Sequence, residues 1–457
     1  LSIHSMTAGR PAASAGRFLS SIAATLGVFA VLVVSPAKAE VEIQQVVSPG
    51  GVSAWLVEDY SVPIISVRFA FAGGDSQDPR GKEGLTTLMT GLFDEGAGDL
   101  DSDAFQTRLD DSGAEMSFRS DRDNLYGSMR MLAEKRDEAL DLLRLAITAP
   151  RFDQDPIDRI RGQMITGIQS EANNPEAQAG KRWLAALYGD HPYARPSEGT
   201  EQSLNSITAD DLRSLHKAVF AREKLKIAVV GAIDSETLKL QLDRLFGTLP
   251  EKPTLALVPD ILPKLDQQVR FEYKLPQTSL SLAYPGVSRH SPDFFAAVLM
   301  NHVLGGGSFT SRLFQEVREK RGLTYGISSA LVDREHTDSL VISTSTRAGK
   351  GTETLGVIRG VVRDMAENGP TEAELAAAKQ YLIGAYAINN LNSSGAIAST
   401  LVQLQIDGLG ADYIQRRAGL IDAVTLDDTR AVAQKLLRTD PAALIVGPPE
   451  KPAGEGH

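Results

Sequence analysis

Ile207-Thr208-Ala209-Asp210-Asp211 returns, with small changes, as Val424-Thr425-Leu426-Asp427-Asp428. Each stretch reads as an apolar residue, a threonine N-cap and an acidic first helical turn, the pattern that satisfies and electrostatically complements a helix N-terminus. After each comes a short helical segment and then an apolar strand: Ile227-Ala228-Val229-Val230-Gly231 in one, Ala443-Leu444-Ile445-Val446-Gly447 in the other. The two threonines lie 217 residues apart and the two glycines 216. A single offset held by two features implies an internal duplication.

Working outward, other segments pair the same way. Phe105 to Ser117 reads as a helix, a turn at Gly113 and a strand, and Leu313 to Ser328 repeats that order with its turn at Gly322. Long helices are expected from Pro156 to Ser170 and from Thr371 to Asn389. Alternating strands, Ile65 to Phe71 and Ser279 to Tyr284, open the two halves. The fold expected is α+β: two homologous halves, each a mainly antiparallel sheet packed with helices, closing into a clam-like chain. Neither half shows the regular alternation of a doubly wound sheet. The proline- and charge-rich stretch that starts at Pro250-Glu251-Lys252-Pro253 places the boundaries at 40–252 for the first half, 253–267 for a linker and 268–457 for the second half.

The chain has 457 residues, 42% apolar and 23% charged, a balance that supports sizeable buried cores. Its net charge of −11 argues against nucleic acid as a partner. Cysteine is absent, which removes disulfides, thiolate metal sites and cysteine nucleophiles together. Residues 1–39 differ from the rest. Arg10 and Arg17 precede an apolar run from Ile22 to Val34, and Ala37-Lys38-Ala39 closes the segment. That is the pattern of a cleaved secretory signal peptide, and the run is short of the roughly 20 residues that a spanning helix needs. The expectation is a periplasmic protein that starts at Glu40 and has no membrane segment after cleavage.

Several chemistries are excluded. None of the seven histidines lies three or four residues from another, so no helix face offers paired imidazoles to zinc. There is no G-x-S-x-G nucleophile elbow. Gly305-Gly306-Gly307-Ser308 lacks the following Lys-Ser/Thr of a phosphate loop. Asp99, Asp101 and Asp103 lack the glycine and glutamate of a calcium loop, and helix capping accounts for them.

The two-half layout resembles the pitrilysin-like (inverzincin) zinc peptidases, a group that includes the mitochondrial processing peptidase. Those enzymes carry H-x-x-E-H within G-[IL]-x-H-x-x-E-H-x-x-x-x-G-[TA]. Here the corresponding stretch is Gly84-Leu85-Thr86-Thr87-Leu88-Met89-Thr90-Gly91-Leu92-Phe93-Asp94-Glu95-Gly96-Ala97. The frame fits, but Thr87 and Gly91 occupy the histidine positions and Thr90 that of the general base. The third-ligand position falls near Thr166-Gly167, ahead of Asn173-Asn174-Pro175. Zinc needs three protein ligands and a base for its water, and threonine and glycine supply neither.

In the second half, Leu304-Gly305-Gly306-Gly307-Ser308-Phe309-Thr310-Ser311-Arg312-Leu313-Phe314 leads into Val317-Arg318-Glu319-Lys320-Arg321-Gly322-Leu323-Thr324-Tyr325-Gly326. This is similar to the family's G-G-x-x-S-R-L-F and R-E-x-x-G-L-x-Y signature. The resemblance implies a zinc-free subunit of a bacterial heterodimeric peptidase, with zinc and the H-x-x-E-H motif in a homologous partner and a peptide or unfolded protein as substrate. Arg318 and Tyr325 match the pair that such subunits retain for substrate binding and transition-state stabilisation. Gly305, Gly306, Gly307 and Ser308 would touch substrate as a mobile loop. Read without the resemblance, Arg318 and Tyr325 are equally a solvated charge and a half-buried strand aromatic, and the glycine run a plain turn between helices. Alone, the chain would hold no cofactor and cleave nothing. A purely structural scaffold and a metal-independent peptide-binding homodimer are the alternatives within the same fold.

Overall fold

The structure is a computed structural model and describes residues 41–449; the expected signal peptide lies outside them. The first half runs β1 (Gln44–Val47), β2 (Ser53–Glu58), β3 (Ile64–Ala72), α1 (Leu85–Thr90), α2 (Ser102–Ser112), β4 (Glu115–Ser120), β5 (Asn124–Leu132), α3 (Arg136–Thr148), α4 (Gln154–Ala172), α5 (Pro175–Tyr188), α6 (Glu201–Ser206), α7 (Ala209–Val219), β6 (Lys226–Gly231) and α8 (Ser235–Phe246). After an extended connection the second half runs β7 (Gln268–Glu272), β8 (Gln277–Pro285), α9 (Phe294–Asn301), β9 (Thr324–Arg334), β10 (Thr337–Arg347), α10 (Gly351–Asn368), α11 (Glu372–Asn390), α12 (Ser394–Ile406), α13 (Tyr413–Asp422), α14 (Leu426–Leu437) and β11 (Ala442–Gly447).

The duplication is visible in the strand orders, β1-β2-β6-β3-β5-β4 and β7-β11-β8-β10-β9. In each sheet the last strand of the half inserts between a parallel and an antiparallel neighbour. β6 lies between β2 and β3, and β11 between β7 and β8. Gly231 and Gly447 end these strands at the same place, opposite the start of the long antiparallel neighbour. A Cβ on Gly231 would lie 2.1 Å from the Ile64 carbonyl oxygen, and one on Gly447 2.9 Å from Thr278 Cα. The repeated glycine is therefore a repeated close approach of backbones. Both N-caps also form: the Thr208 and Thr425 hydroxyls accept from the backbone N–H of Asp211 and Asp428, whose carboxylates accept from the threonine N–H groups in return.

Alternate residues of each central strand face opposite sides. In the first half Phe69, Phe71, Ile227 and Val229 join the core beneath α1, α2, α3, α7 and α8. The other face of the same strands is also buried, at Ala70, Ala228 and Val230, and α12 of the second half packs on β3 and β6 there. Gln405 of α12 donates to the Ile227 carbonyl at 2.9 Å. The reciprocal contact is made by α5 of the first half, which packs on β7 and β11. Its Ala179, Trp183, Leu187 and Tyr188 join Ala283, Leu444 and Val446 in one cluster. Each half thus covers the other's sheet, and residues 42–449 form one compact unit.

Candidate functional site

Arg318 and Tyr325 lie on either side of a tight reversal. Phe314–Glu319 forms a π-helical turn, Gly322 takes φ +58°, and the Leu323 N–H donates to the Val317 carbonyl at 3.0 Å as the chain enters β9. Pairing of β9 with β10 then slips. Thr324 pairs with Thr346 and Ile327 with Thr344, so Tyr325 and Gly326 together oppose Ser345 alone. This is a β-bulge carrying the tyrosine. The Thr324 hydroxyl holds it, accepting from the Gly326 N–H at 3.1 Å and lying 2.8 Å from the Thr344 hydroxyl.

The bulge leaves Tyr325 86% exposed, at the edge of a shallow cavity of about 490 Å3 on the face of the second sheet. The cavity floor is rich in hydroxyls, from Ser279, Ser281, Ser343 and Ser345, and Glu176 of α5 closes one side. Ser279 donates to Glu176 at 2.6 Å. Arg318 lies with its guanidinium carbon 4.6 Å from the Phe314 ring centroid and 6.0 Å from that of Phe309, and pairs loosely with Glu319 at 3.7 Å. Among the described residues no hydrogen bond or ring contact joins Arg318 to Tyr325; each retains donors for a third group.

The glycine run is ordered by packing. α9 continues through a π-helical turn over His302–Gly306. A Cβ on Gly305 would lie 2.5 Å from Ser329 Oγ and 2.8 Å from Ser329 N, so this glycine lets the helix end touch β9. Gly306 and Ser308 are exposed and Gly307 half-buried. Ser308 takes φ +50°, a left-handed conformation uncommon for a residue with a Cβ, and places Phe309 67% exposed beside Arg318. Arg312, the arginine of the same signature, has a different task. It donates to Glu374 at 2.7 and 2.8 Å, to Asp364 at 2.9 Å and to the Gly369 carbonyl, and its hydrogen bonds draw the Glu374 carboxyl down to about 2. It fastens this segment to the turn between α10 and α11.

In the first half α1 carries the positions where zinc ligands would stand. The Thr87 hydroxyl donates to the Ser197 carbonyl and the Thr90 hydroxyl to the Thr87 carbonyl, both at 2.8 Å. Gly91 ends the helix, and a Cβ there would lie 3.2 Å from Ile160 of α4. Gly167 is seven residues along α4 from Ile160, on the same helical face. Buried Asp78 anchors the helix start by accepting from the Gly84 and Thr86 N–H groups, each at 2.9 Å, and burial pushes its carboxyl up to about 7. Threonine and glycine here do the work of packing and turning.

One other group has the residue types of a metal site, Asp123, Glu335 and His336, with ligand atoms within 4.8 Å of one another. Asp123 and His336 already have partners within the fold. Asp123 accepts from the Tyr193 hydroxyl and from the Glu335 N–H, and His336 Nδ1 is 3.0 Å from Asp260. The group joins the two halves and the connection between them.

Comparison with known proteins agrees with this geometry. Residues 55–201 match the profile described as Insulinase (Peptidase family M16), and residues 206–382 the Peptidase M16 inactive domain. A crystal structure of a peptidase M16 inactive domain from Pseudomonas fluorescens is 31% identical, with a TM-score of 0.83 over 90% of this chain and 99% of that one. The chain belongs to peptidase family M16. Within that family it is similar to the non-peptidase homolog YmxG of Helicobacter pylori, 25% identical over 81% of this chain and 86% of the relative. It is also similar to an uncharacterized zinc protease of Mycobacterium leprae, 29% identical over 74% and 77%. As an M16 chain with Thr87, Thr90 and Gly91 at the ligand and base positions, it is inactive on its own and has no family zinc site.

Proposed function

We propose that this chain is the zinc-free subunit of a heterodimeric metallopeptidase of the periplasm. The observation that carries the reading is the contrast between the two halves. The zinc positions of α1 are filled by residues that only pack, whereas the second half keeps Tyr325 at an open, hydroxyl-lined cavity and Arg318 across the tight turn that precedes it. A homologous partner with H-x-x-E-H would supply the zinc and its activated water. This chain's part is to bind and orient peptide. The Tyr325 hydroxyl donates to the carbonyl oxygen that gains charge during attack, and Arg318 grips a neighbouring carbonyl or that same oxygen. Phe309, exposed beside Arg318, and Gly306, Gly307 and Ser308 just before it would contact the peptide. The basic, then apolar, then Ala-Lys-Ala order of residues 1–39 supports export.

Purification of the tagged chain from its native host tests this. Co-elution with an M16 chain bearing H-x-x-E-H, together with peptide cleavage by the pair and by neither chain alone, is the expected result. A chain that elutes as a homodimer, or a partner that cleaves equally well without it, would overturn the reading.

A further inference from the structure

Helices α9, α11, α12 and α13 surround a cavity of about 470 Å3, well apart in sequence from the Tyr325 bulge. Its walls are largely apolar: Phe294, Phe295, Val298, Tyr386, Leu404 and Tyr413. Two guanidinium groups enter it, and their surroundings differ. Arg289 is fully balanced. Its Nε lies 3.4 Å from the Asp407 carboxylate, its Nη2 donates to the Tyr413 hydroxyl at 2.6 Å, and it lies 4.1 Å over the Phe294 ring.

Arg417 has no such balance. It stacks 4.2 Å over Tyr386 and donates from Nη1 to the Leu382 carbonyl at 2.9 Å. Among the described residues no carboxylate lies within ion-pair distance of it. Burial lowers its pKa, the Tyr413 and Tyr386 hydroxyls oppose that shift, and Arg289 nearby adds to it. A guanidinium carries five donors, and Arg417, half-buried against these rings, has no carboxylate among its partners in the described residues. The cavity therefore combines aromatic walls with a cation whose counter-charge the fold does not provide.

We propose that this cavity binds the free carboxyl terminus of a peptide whose last residue is aromatic or large aliphatic. Arg417 pairs with the carboxylate, and the rings surround the terminal side chain. A carboxylate suits the planar fork of arginine and carries one charge on an apolar body. A phosphate would bring nearly two charges against rings that cannot solvate them. The volume suits one or two residues rather than a docked helix. Asn390, Ser399 and Gln403 on the rim offer amide and hydroxyl groups to the peptide units that lead in. The site resides in this chain alone and stands whether or not a zinc-bearing partner exists.

The test is calorimetric titration of the purified chain with acetyl-Ala-Ala-Phe as the free acid and as its C-terminal amide. The acid should bind, and the amide should bind about 10- to 100-fold more weakly, the ratio expected for loss of a charged hydrogen-bonded pair. Arg417→Gln should show the same loss for the acid, and Val298→Trp, which fills the cavity, should abolish binding with the fold retained by circular dichroism. Equal binding of acid and amide, or no binding of either to the wild-type chain, overturns the proposal even if Arg417→Gln fails to fold. Competition by millimolar inorganic phosphate as strong as by the acid would overturn the assignment to a peptide terminus.

Discussion

A tyrosine on a regular strand must point to one face of its sheet or the other; the extra residue in β9 frees Tyr325 from that choice. The signature singles out Arg318 and Tyr325 as candidates, but it carries no sign of the bulge, which depends on the register between β9 and β10. In a reconstituted pair with a zinc-bearing partner, Tyr325→Phe should lower kcat by about 100- to 1000-fold with little change in KM, as for loss of one oxyanion donor. Arg318→Ala should raise KM as well. Both variants should still form the complex in size-exclusion chromatography, and full activity in intact complexes would reduce the pair to a structural role. Thr87, Thr90 and Gly91 yield a complementary expectation. With the two threonine hydroxyls committed to backbone carbonyls and no side chain on Gly91, dialysis of the isolated chain against chelator should leave its melting temperature unchanged, and metal analysis should find no stoichiometric zinc. One tightly held zinc per chain would contradict this.

At the scale of elements, periodicity and capping fixed what the segments are but not what they lie against. The repeat around Thr208 and Thr425 was readable because a cap and its carboxylate are three residues apart. The helices α5 and α12 were harder. Trp183 and Leu187 mark an apolar face four residues apart on α5, yet an amphipathic stripe carries no address, and these side chains land on the sheet of the other half. Burial of both faces of β6 and β11 shows that each sheet takes a second cover. Trp183 is 9% exposed within that contact. Trp183→Ala should cost about 3–5 kcal/mol in urea unfolding. Thr208→Ala and Thr425→Ala should each cost about 1 kcal/mol. A Trp183→Ala chain with unchanged stability would mean that the exchanged helices rest on the sheets without holding them.

The whole molecule is held at the tip of the β9–β10 hairpin, where the two halves and the connection between them meet. Asp123 of the first half accepts from the Glu335 N–H, the His336 N–H donates to the Tyr193 hydroxyl, and Ile261 of the connection donates to the His336 carbonyl at 2.9 Å. Sequence spacing could not bring these residues together, because they come from four segments between residues 123 and 336. At the base of the tip Asp333 and Asp338 face each other across the strands. Burial, then the neighbouring Asp333 carboxylate and Asp260, push the Asp338 carboxyl up to about 7; Asp260 itself contacts His336. An unfolded aspartate releases its proton near 4. Between those values the folded chain holds a proton that the unfolded chain has lost, so this group's contribution to stability is greatest below pH 4 and disappears as pH rises through 7. Asp338→Asn keeps the shape and removes the titration. Its melting temperature should match the wild type below pH 4 and exceed it by a margin that grows as pH rises to about 7, read by thermal unfolding across that range. A constant difference between the two proteins at every pH would show that Asp338 is ionised throughout.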